Sequence, residues 1–268
     1  MEVRALNWNI FHGRDGPPDP NLYTLRSKLL RITERNETHV QVNRDLFDEF
    51  AGLLAHARWD IALLQECPPR WAEPFAAVCG AQAQRVLTSR NYVPLIQGAL
   101  HKLNPDLPGS WEGGSNTTLI RGVRIVEPRE LVIRPADPER RTMAFARLEN
   151  GACIANFHAS NDNRALAEEE VRLAAETASG WATDAPLIFG GDFNLRPHSS
   201  PVFDELAERF GLRAPTAPDA IDHLLVRGLE VLEAPHQWPA EAREIPSNGL
   251  ALRLSDHAPV EALFDVPG

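Results

Sequence analysis

The sequence predicts an α/β fold in which two packed mixed sheets are flanked by helices. Three observations carry that prediction. Short apolar or alternating runs of strand length recur at 3–10, 60–66, 84–88, 116–120, 130–134, 142–148, 152–157, 186–190, 220–226 and 258–264. Some are close enough to pair as hairpins, whereas others are separated by segments of helical period. Residues suited to catalysis gather at the ends of five runs, where packing alone does not call for them.

In chain order, the first run contains Leu6-Asn7-Trp8-Asn9-Ile10. Its two-residue alternation sets Asn7 and Asn9 on one face and Leu6, Trp8 and Ile10 on the other. A proline-rich irregular stretch, 13–21, follows. Residues 42–57 then read as a helix, with Leu46, Phe47, Phe50, Leu53 and Leu54 near helical spacing. Ile61-Ala62-Leu63-Leu64-Gln65-Glu66 is a buried-strand pattern that ends in a carboxylate. The long segment 91–115, with three prolines, Trp111 and Gly113-Gly114, reads as a functional or mobile loop. Cys153-Ile154-Ala155-Asn156-Phe157-His158 is another apolar strand, ending in an imidazole. Residues 163–181 form the longest helix candidate, with Leu166, Val171, Leu173 and Ala174 inward. Glu168, Glu169, Glu170 and Arg172 read as its solvated face, with Asp162 or Asn161 as cap.

The strand pattern at 185–189 runs into Gly190-Gly191-Asp192-Phe193-Asn194, the most informative sequence in the chain. The glycines permit a sharp bend, and extended geometry would point Asp192 and Asn194 to one side. A short helix over 201–210 follows. Asp222 then interrupts an otherwise apolar strand, and Ser255-Asp256-His257 precedes the last one.

In this order Trp-Asn, Gln-Glu, Asn-x-His, Gly-Asp-Phe-Asn, Ile-Asp-His and Ser-Asp-His resemble the endonuclease/exonuclease/phosphatase superfamily. The likeness runs from about Val3 to Phe264 and so embraces nearly the whole chain. It implies a four-layer α/β sandwich of the deoxyribonuclease I type, with the site at one edge of the packed sheets. It also implies a single domain over residues 1–268, because a boundary would separate cooperating motifs.

Phosphoester hydrolysis requires charge neutralisation at phosphorus, an activated water and a protected leaving oxygen. Mg²⁺, with Mn²⁺ as a substitute, is the expected cofactor, because a hard ion needs only one or two carboxylates plus substrate oxygens. The expected metal residues are Glu66, Asn9 (direct, or supporting Glu66) and Asp256. His257 is the expected catalytic imidazole, and Asp222 matches the acid that orients it in the family. Asp192 is expected to position or deprotonate the attacking water, and Asn194 to contact the transition-state oxygens. His158 would donate to the phosphate or assist the leaving group. Asn116 matches, more loosely, a family strand that offers an amide near the phosphate. Whether Asp192 or His257 is the general base stays open at this stage. His12 reads as a loop histidine, His198 as a solvated one, and His223 as facing away from Asp222. Trp59, Trp71 and Trp181 read as core aromatics.

Composition narrows the substrate less. A net charge of −10 argues against a chain-wide nucleic-acid surface. A local basic cluster of Arg26, Lys28, Arg31, Arg35 and Arg44 could still meet a polyanion or be a solvated face. Lys28 and Lys102 are the only lysines, a skew that reflects codon usage rather than phosphate recognition. Cys67, Cys79 and Cys153 show no paired spacing and read as core residues of a reducing cytosol. No apolar run reaches the ~20 residues of a membrane span, and no secretory leader is evident, so a cytoplasmic monomer is expected. The favoured reading is a metal-dependent phosphodiesterase acting on nucleic acid. The alternatives are a phosphatase or phospholipase-like enzyme and, last, a non-catalytic binding module. For the lipid case Tyr92, Leu95, Ile96 and Trp111 would be the exposed loop tips.

Overall fold

The computed structural model describes residues 1–89, 96, 99–100, 103, 113–136 and 139–266. Tyr92, Leu95, Trp111 and most of the 91–115 loop, for which the sequence raises expectations, lie outside them.

All ten expected strands form. In the first sheet β1 (Glu2–Asn9), β4 (Ile61–Cys67), β5 (Gln82–Leu87), β6 (Ser115–Ile120), β12 (Glu230–Gln237) and β15 (Val260–Asp265) take the order β12-β15-β1-β4-β6-β5. In the second, β7 (Ile125–Arg134), β8 (Arg141–Leu148), β9 (Cys153–His158), β10 (Leu187–Asp192) and β11 (Asp222–Arg227) take the order β11-β10-β9-β8-β7. The pairs β1·β4 and β9·β10 are parallel and the remainder antiparallel, so both sheets are mixed. Two small pairs, β2 (Glu34–Arg35) with β3 (Val40–Gln41) and β13 (Glu244–Ser247) with β14 (Leu250–Arg253), complete the strands.

Side-chain alternation builds the layers. Val3, Ala5, Ile61, Leu63, Ile154, Ile188, Leu224, Val226 and Phe264 fill the space between the sheets. Leu6, Trp8, Ile10, Ala62 and Leu64 point the other way, onto Phe50 and Leu54 of α2 (Phe47–His56) and Phe75 of α3 (Ala72–Cys79). On the far side Phe145, Phe157 and Phe189 pack against Ala167, Val171, Ala174 and Ala178 of α4 (Arg164–Ala182) and Leu206 of α5 (Val202–Phe210). The four layers are therefore helix, sheet, sheet, helix, as expected. Trp59 and Trp71 are buried and Trp181 packs at the core edge, also as expected.

Several local readings need correction. Asn163, not Asp162 or Asn161, caps α4, its side chain accepting from Leu166 N at 3.2 Å. Leu173 is exposed, because the buried stripe of α4 runs through Ala167, Val171, Ala174, Ala175 and Ala178. Glu170 lies on that buried stripe and is not solvated. Its carboxylate accepts from Ser160 N (2.8 Å) and Ser160 Oγ (3.0 Å) and pairs with Arg134. Residues 42–46 precede α2 rather than joining it, since Asp45 Oδ1 accepts from Phe47 N at 2.9 Å.

Candidate active site

The inner faces of the central strands turn polar toward one end of the sandwich. Beyond the layer of Ala5, Ile61 and Leu63 lie Asn7, Gln65 and Asn156, all fully buried. Gln65 Nε2 donates to Asn7 Oδ1 and to Asn156 Oδ1, each at 2.8 Å. Asn156 Nδ2 reaches back to Thr117 O at 3.1 Å and Leu64 O at 3.3 Å. This amide network joins the two sheets and forms the floor of the site. The next step up each strand delivers Asn9, Glu66, His158, Asp192 and Asp222 together.

Glu66 reaches this layer through a bulge. The β4·β6 register slips between Leu64 and Cys67, and Glu66 itself adopts φ 50°. Such bulges re-aim a side chain at a sheet rim, and a left-handed non-glycine residue is a store of strain common at functional sites. Glu66 Oε1 accepts from Asn9 Nδ2 at 3.3 Å, and its Oε2 lies 3.0 Å from His12 Nε2. Burial pushes the Glu66 carboxyl up, but His12, His158 and the Asn9 amide outweigh it and bring its pKa down to about 2. Phe11 N donates to Asn9 Oδ1 at 3.0 Å, which turns the amide nitrogen of Asn9, not its oxygen, toward the carboxylates.

Asp192 ends β10 and is buried. Its Oδ2 accepts from Asn9 Nδ2 at 3.0 Å and lies 3.5 Å from His158 Nε2 and 3.8 Å from His257 Nε2. Burial first, and the neighbouring Asp222 second, raise its pKa well above the ordinary carboxyl range. The strand reaches this position only because Gly191 precedes it. Gly191 has φ 149°, and a Cβ there would sit 1.7 Å from Phe157 O.

His257 stands opposite. Its Nδ1 lies 2.8 Å from Asp222 Oδ2, the geometry that fixes an imidazole tautomer. Burial lowers its proton affinity, but the Asp222 hydrogen bond and the charges of Asp222, Asp192 and Asp256 reverse this and raise its pKa to about 10. His158 behaves in the opposite way: burial and the Arg141 guanidinium lower it to about 3, so it is neutral near pH 7. The loop carrying His257 is tightly held. Trp8 Nε1 donates to His257 O at 3.0 Å, Ser255 Oγ donates to Asn9 O at 2.6 Å, and Arg243 Nη1 donates to Leu254 O at 3.0 Å and also to Ser255 O.

Asp256 lies exposed beside His257, its pKa raised by burial of its inner edge and by the Glu66 charge. Among the described residues, the group whose ligand atoms lie within 4.8 Å of one another is Asp192, Asp222 and His257. The carboxylates of Glu66 and Asp256, with the Asn9 amide on Glu66, form an acidic flank next to it.

Two amides sit differently from expectation. Asn194 adopts φ 52°, so it does not share an extended face with Asp192; its N–H caps Asp192 Oδ1 at 3.0 Å and its Nδ2 donates to Ala159 O at 3.0 Å. Asn116 is fully buried between the sheets, donating to Thr142 O at 2.7 Å. His223 faces away from Asp222 against Phe193 and Phe203, and His198 is half-exposed, both as expected. His12, expected to be only a loop histidine, is instead the partner of Glu66. Arg141 and Arg243 carry no motif in the sequence, and their parts emerge only in three dimensions.

The family model described as Endonuclease/Exonuclease/phosphatase family matches residues 6–257. A search of curated proteins gives no match. Among solved structures, the chain is similar to an endonuclease/exonuclease/phosphatase family protein from Bacteroides thetaiotaomicron, with TM-score 0.66, 14% identity and coverage of 98% and 97% of the two chains. It is similar to a mannosyl-6-phosphatase of the same organism, with TM-score 0.65, 14% identity and coverage of 98% and 99%. It is also similar to TDP2 from Caenorhabditis elegans, with TM-score 0.59, 16% identity and coverage of 98% and 75%. At these identities the structures establish a common fold, and the family match establishes membership: the chain belongs to the endonuclease/exonuclease/phosphatase family of phosphoester hydrolases.

Proposed function

We propose that the protein is a divalent-metal-dependent phosphoester hydrolase in which Asp192 is the general base and His257 acts as an imidazolium. The observation that carries this reading is the pairing, 3.8 Å apart, of a ring held charged with a carboxylate of heightened basicity. His257 is raised to about 10 by its carboxylate neighbours, while Asp192, 3.8 Å away, is raised toward neutrality by burial. A base poised near the working pH is effective, and a fixed cation beside it is suited to charge developing on phosphorus oxygens.

Glu66 and Asp256 would hold Mg²⁺, with Asn9 steadying the Glu66 carboxylate through its amide nitrogen. The donor set fits: an all-oxygen pair, one of them ionised far below neutral pH, is what a hard ion prefers. When bound, the ion would supply Lewis-acid polarisation of the phosphoryl oxygen. Asp192 Oδ2 would take the proton of the attacking water, while Asn9 Nδ2 and the Asn194 N–H hold that carboxylate in place. Asp222 keeps His257 charged and oriented. His158, neutral and lodged between Glu66 and Asp192, would donate one hydrogen bond to a phosphoryl oxygen. The role assigned to Asn194 thus shifts from the substrate to the base.

Phosphodiester cleavage, including that of nucleic acid, is the finer form of this reading. The test uses metal-stripped protein supplied with Mg²⁺, acting on bis(p-nitrophenyl) phosphate, p-nitrophenyl phosphate and supercoiled plasmid. Diester turnover and nicking that vanish in Asp192→Ala would support it. Turnover of the monoester alone would transfer the assignment to a phosphatase.

A further inference from the structure

Beside the site stands a helix that is built inside out. The short helix α1 (Leu25–Leu30) lies in the excursion between β1 and α2. Surface helices ordinarily bury their apolar residues and expose their polar ones. In α1 the buried residue is Ser27, while Leu25, Leu29 and Leu30 are 72%, 52% and 64% exposed. The inversion is anchored on the polar side. Thr24 Oγ1 accepts from Ser27 N at 2.9 Å, and Asn43 Nδ2 donates to Ser27 O at 3.2 Å and Lys28 O at 3.3 Å. The leucines are therefore held outward by hydrogen bonds and do not merely lack a core to enter.

The same surface is basic in an acidic protein. Between Thr24 and Asn36 the chain carries Arg26, Lys28, Arg31 and Arg35 against the single acid Glu34, whereas the whole chain has a net charge of −10. Arg26, Arg31 and Arg35 are exposed. Arg44, counted with this cluster in the sequence, is paired with Glu49 and does not belong to it. A row of contacts leads from the patch to the site. The Lys28 ammonium stands 4.6 Å over the Tyr23 ring, that ring lies 6.5 Å from the Phe11 ring, and Phe11 N donates to Asn9 Oδ1.

We infer that α1 is a docking surface for an anionic phospholipid bilayer. Projecting leucines interleaved with arginines are what a headgroup boundary takes: apolar side chains enter it while cations meet anionic headgroups. A nucleic-acid backbone would use the arginines and leave the leucines in water, so it accounts for only half of the surface. The inference stands apart from the hydrolase reading, because it is measured as binding without turnover.

The test is sedimentation of the full chain with phosphatidylcholine vesicles, with and without phosphatidylglycerol, in the absence of added metal. The expected result is binding only to the phosphatidylglycerol vesicles. Each basic residue at such a surface contributes about fivefold, so Arg26→Gln with Arg31→Gln should weaken binding by about twenty-five-fold. Leu29→Ser with Leu30→Ser, which leaves every charge in place, should weaken it by at least about tenfold. All four positions are exposed, and an unchanged melting temperature confirms that both variants are folded. No binding at low ionic strength would overturn the inference. So would full binding by the leucine variant, duplex DNA binding that the leucine variant retains, or a dimer in solution that the leucine variant dissociates.

Discussion

Replacing Asp222 by Asn removes the charge that keeps His257 protonated while preserving size and an acceptor 2.8 Å from Nδ1. At about 1.4 kcal/mol per pKa unit, the rise of His257 from 6.5 to about 10 amounts to about 5 kcal/mol favouring the imidazolium in the folded protein. Because the folded pKa is the higher one, that stabilisation is fully present below pH 6.5 and is lost as pH rises through about 10. With Asn at 222, Asp192 at 3.8 Å still attracts the ring, but burial opposes it. The His257 pKa should therefore fall by about two units or more, and turnover by about 10³–10⁴-fold. The assay is a titration of the His257 ring nitrogens by NMR, run beside the pH dependence of kcat. The variant should also lose the stability that the imidazolium contributes, a deficit fullest below pH 6.5 and absent above about pH 10. An unchanged His257 titration in Asp222→Asn would refute the pairing as the cause of the shift.

Other expectations rest on separate parts of the site. Glu66→Gln should abolish Mg²⁺ binding in calorimetry. The depressed Glu66 pKa contributes stability that is present above about 4.5 and is lost as pH falls toward about 2, so the variant should show a shallower acid transition. Gly191→Ala, whose Cβ would meet Phe157 O at 1.7 Å, should lower stability in urea by about 3 kcal/mol or more, or prevent folding. Gln65→Leu strands Asn7 and Asn156 beneath the site and should cost about 1–3 kcal/mol in the same measurement while leaving Mg²⁺ affinity intact.

The strands and the site were legible together because one alternation serves both. In β1 the face that carries Val3 and Ala5 continues into Asn7 and Asn9, so the sequence shows an inner face changing from apolar to polar. β9 repeats this with Ile154, Asn156 and His158, and the end of β10 delivers Asp192 beside it. Residues outside that alternation were not legible. His12, at φ 53°, sits in a left-handed turn with no period to reveal its direction, and it meets Glu66 only because a bulge bends β4. Alternation misplaces Asn194 for the same reason, as its backbone leaves the extended region immediately after Asp192. Glu170 looked solvated within a run of glutamates, yet its place on the helix turns it to Ser160 and Arg134. Strand β12 escaped notice because nearly all its residues are exposed at a sheet edge, which erases the alternation that marks a half-buried strand.

The most direct test of the account is phosphoester hydrolysis by the metal-stripped chain before and after adding Mg²⁺, with Asp192→Ala and His257→Ala alongside. The account predicts no turnover without the ion, recovery when it is added, and no recovery in either folded variant. Turnover that is indifferent to Mg²⁺, or that survives in Asp192→Ala, would contradict it.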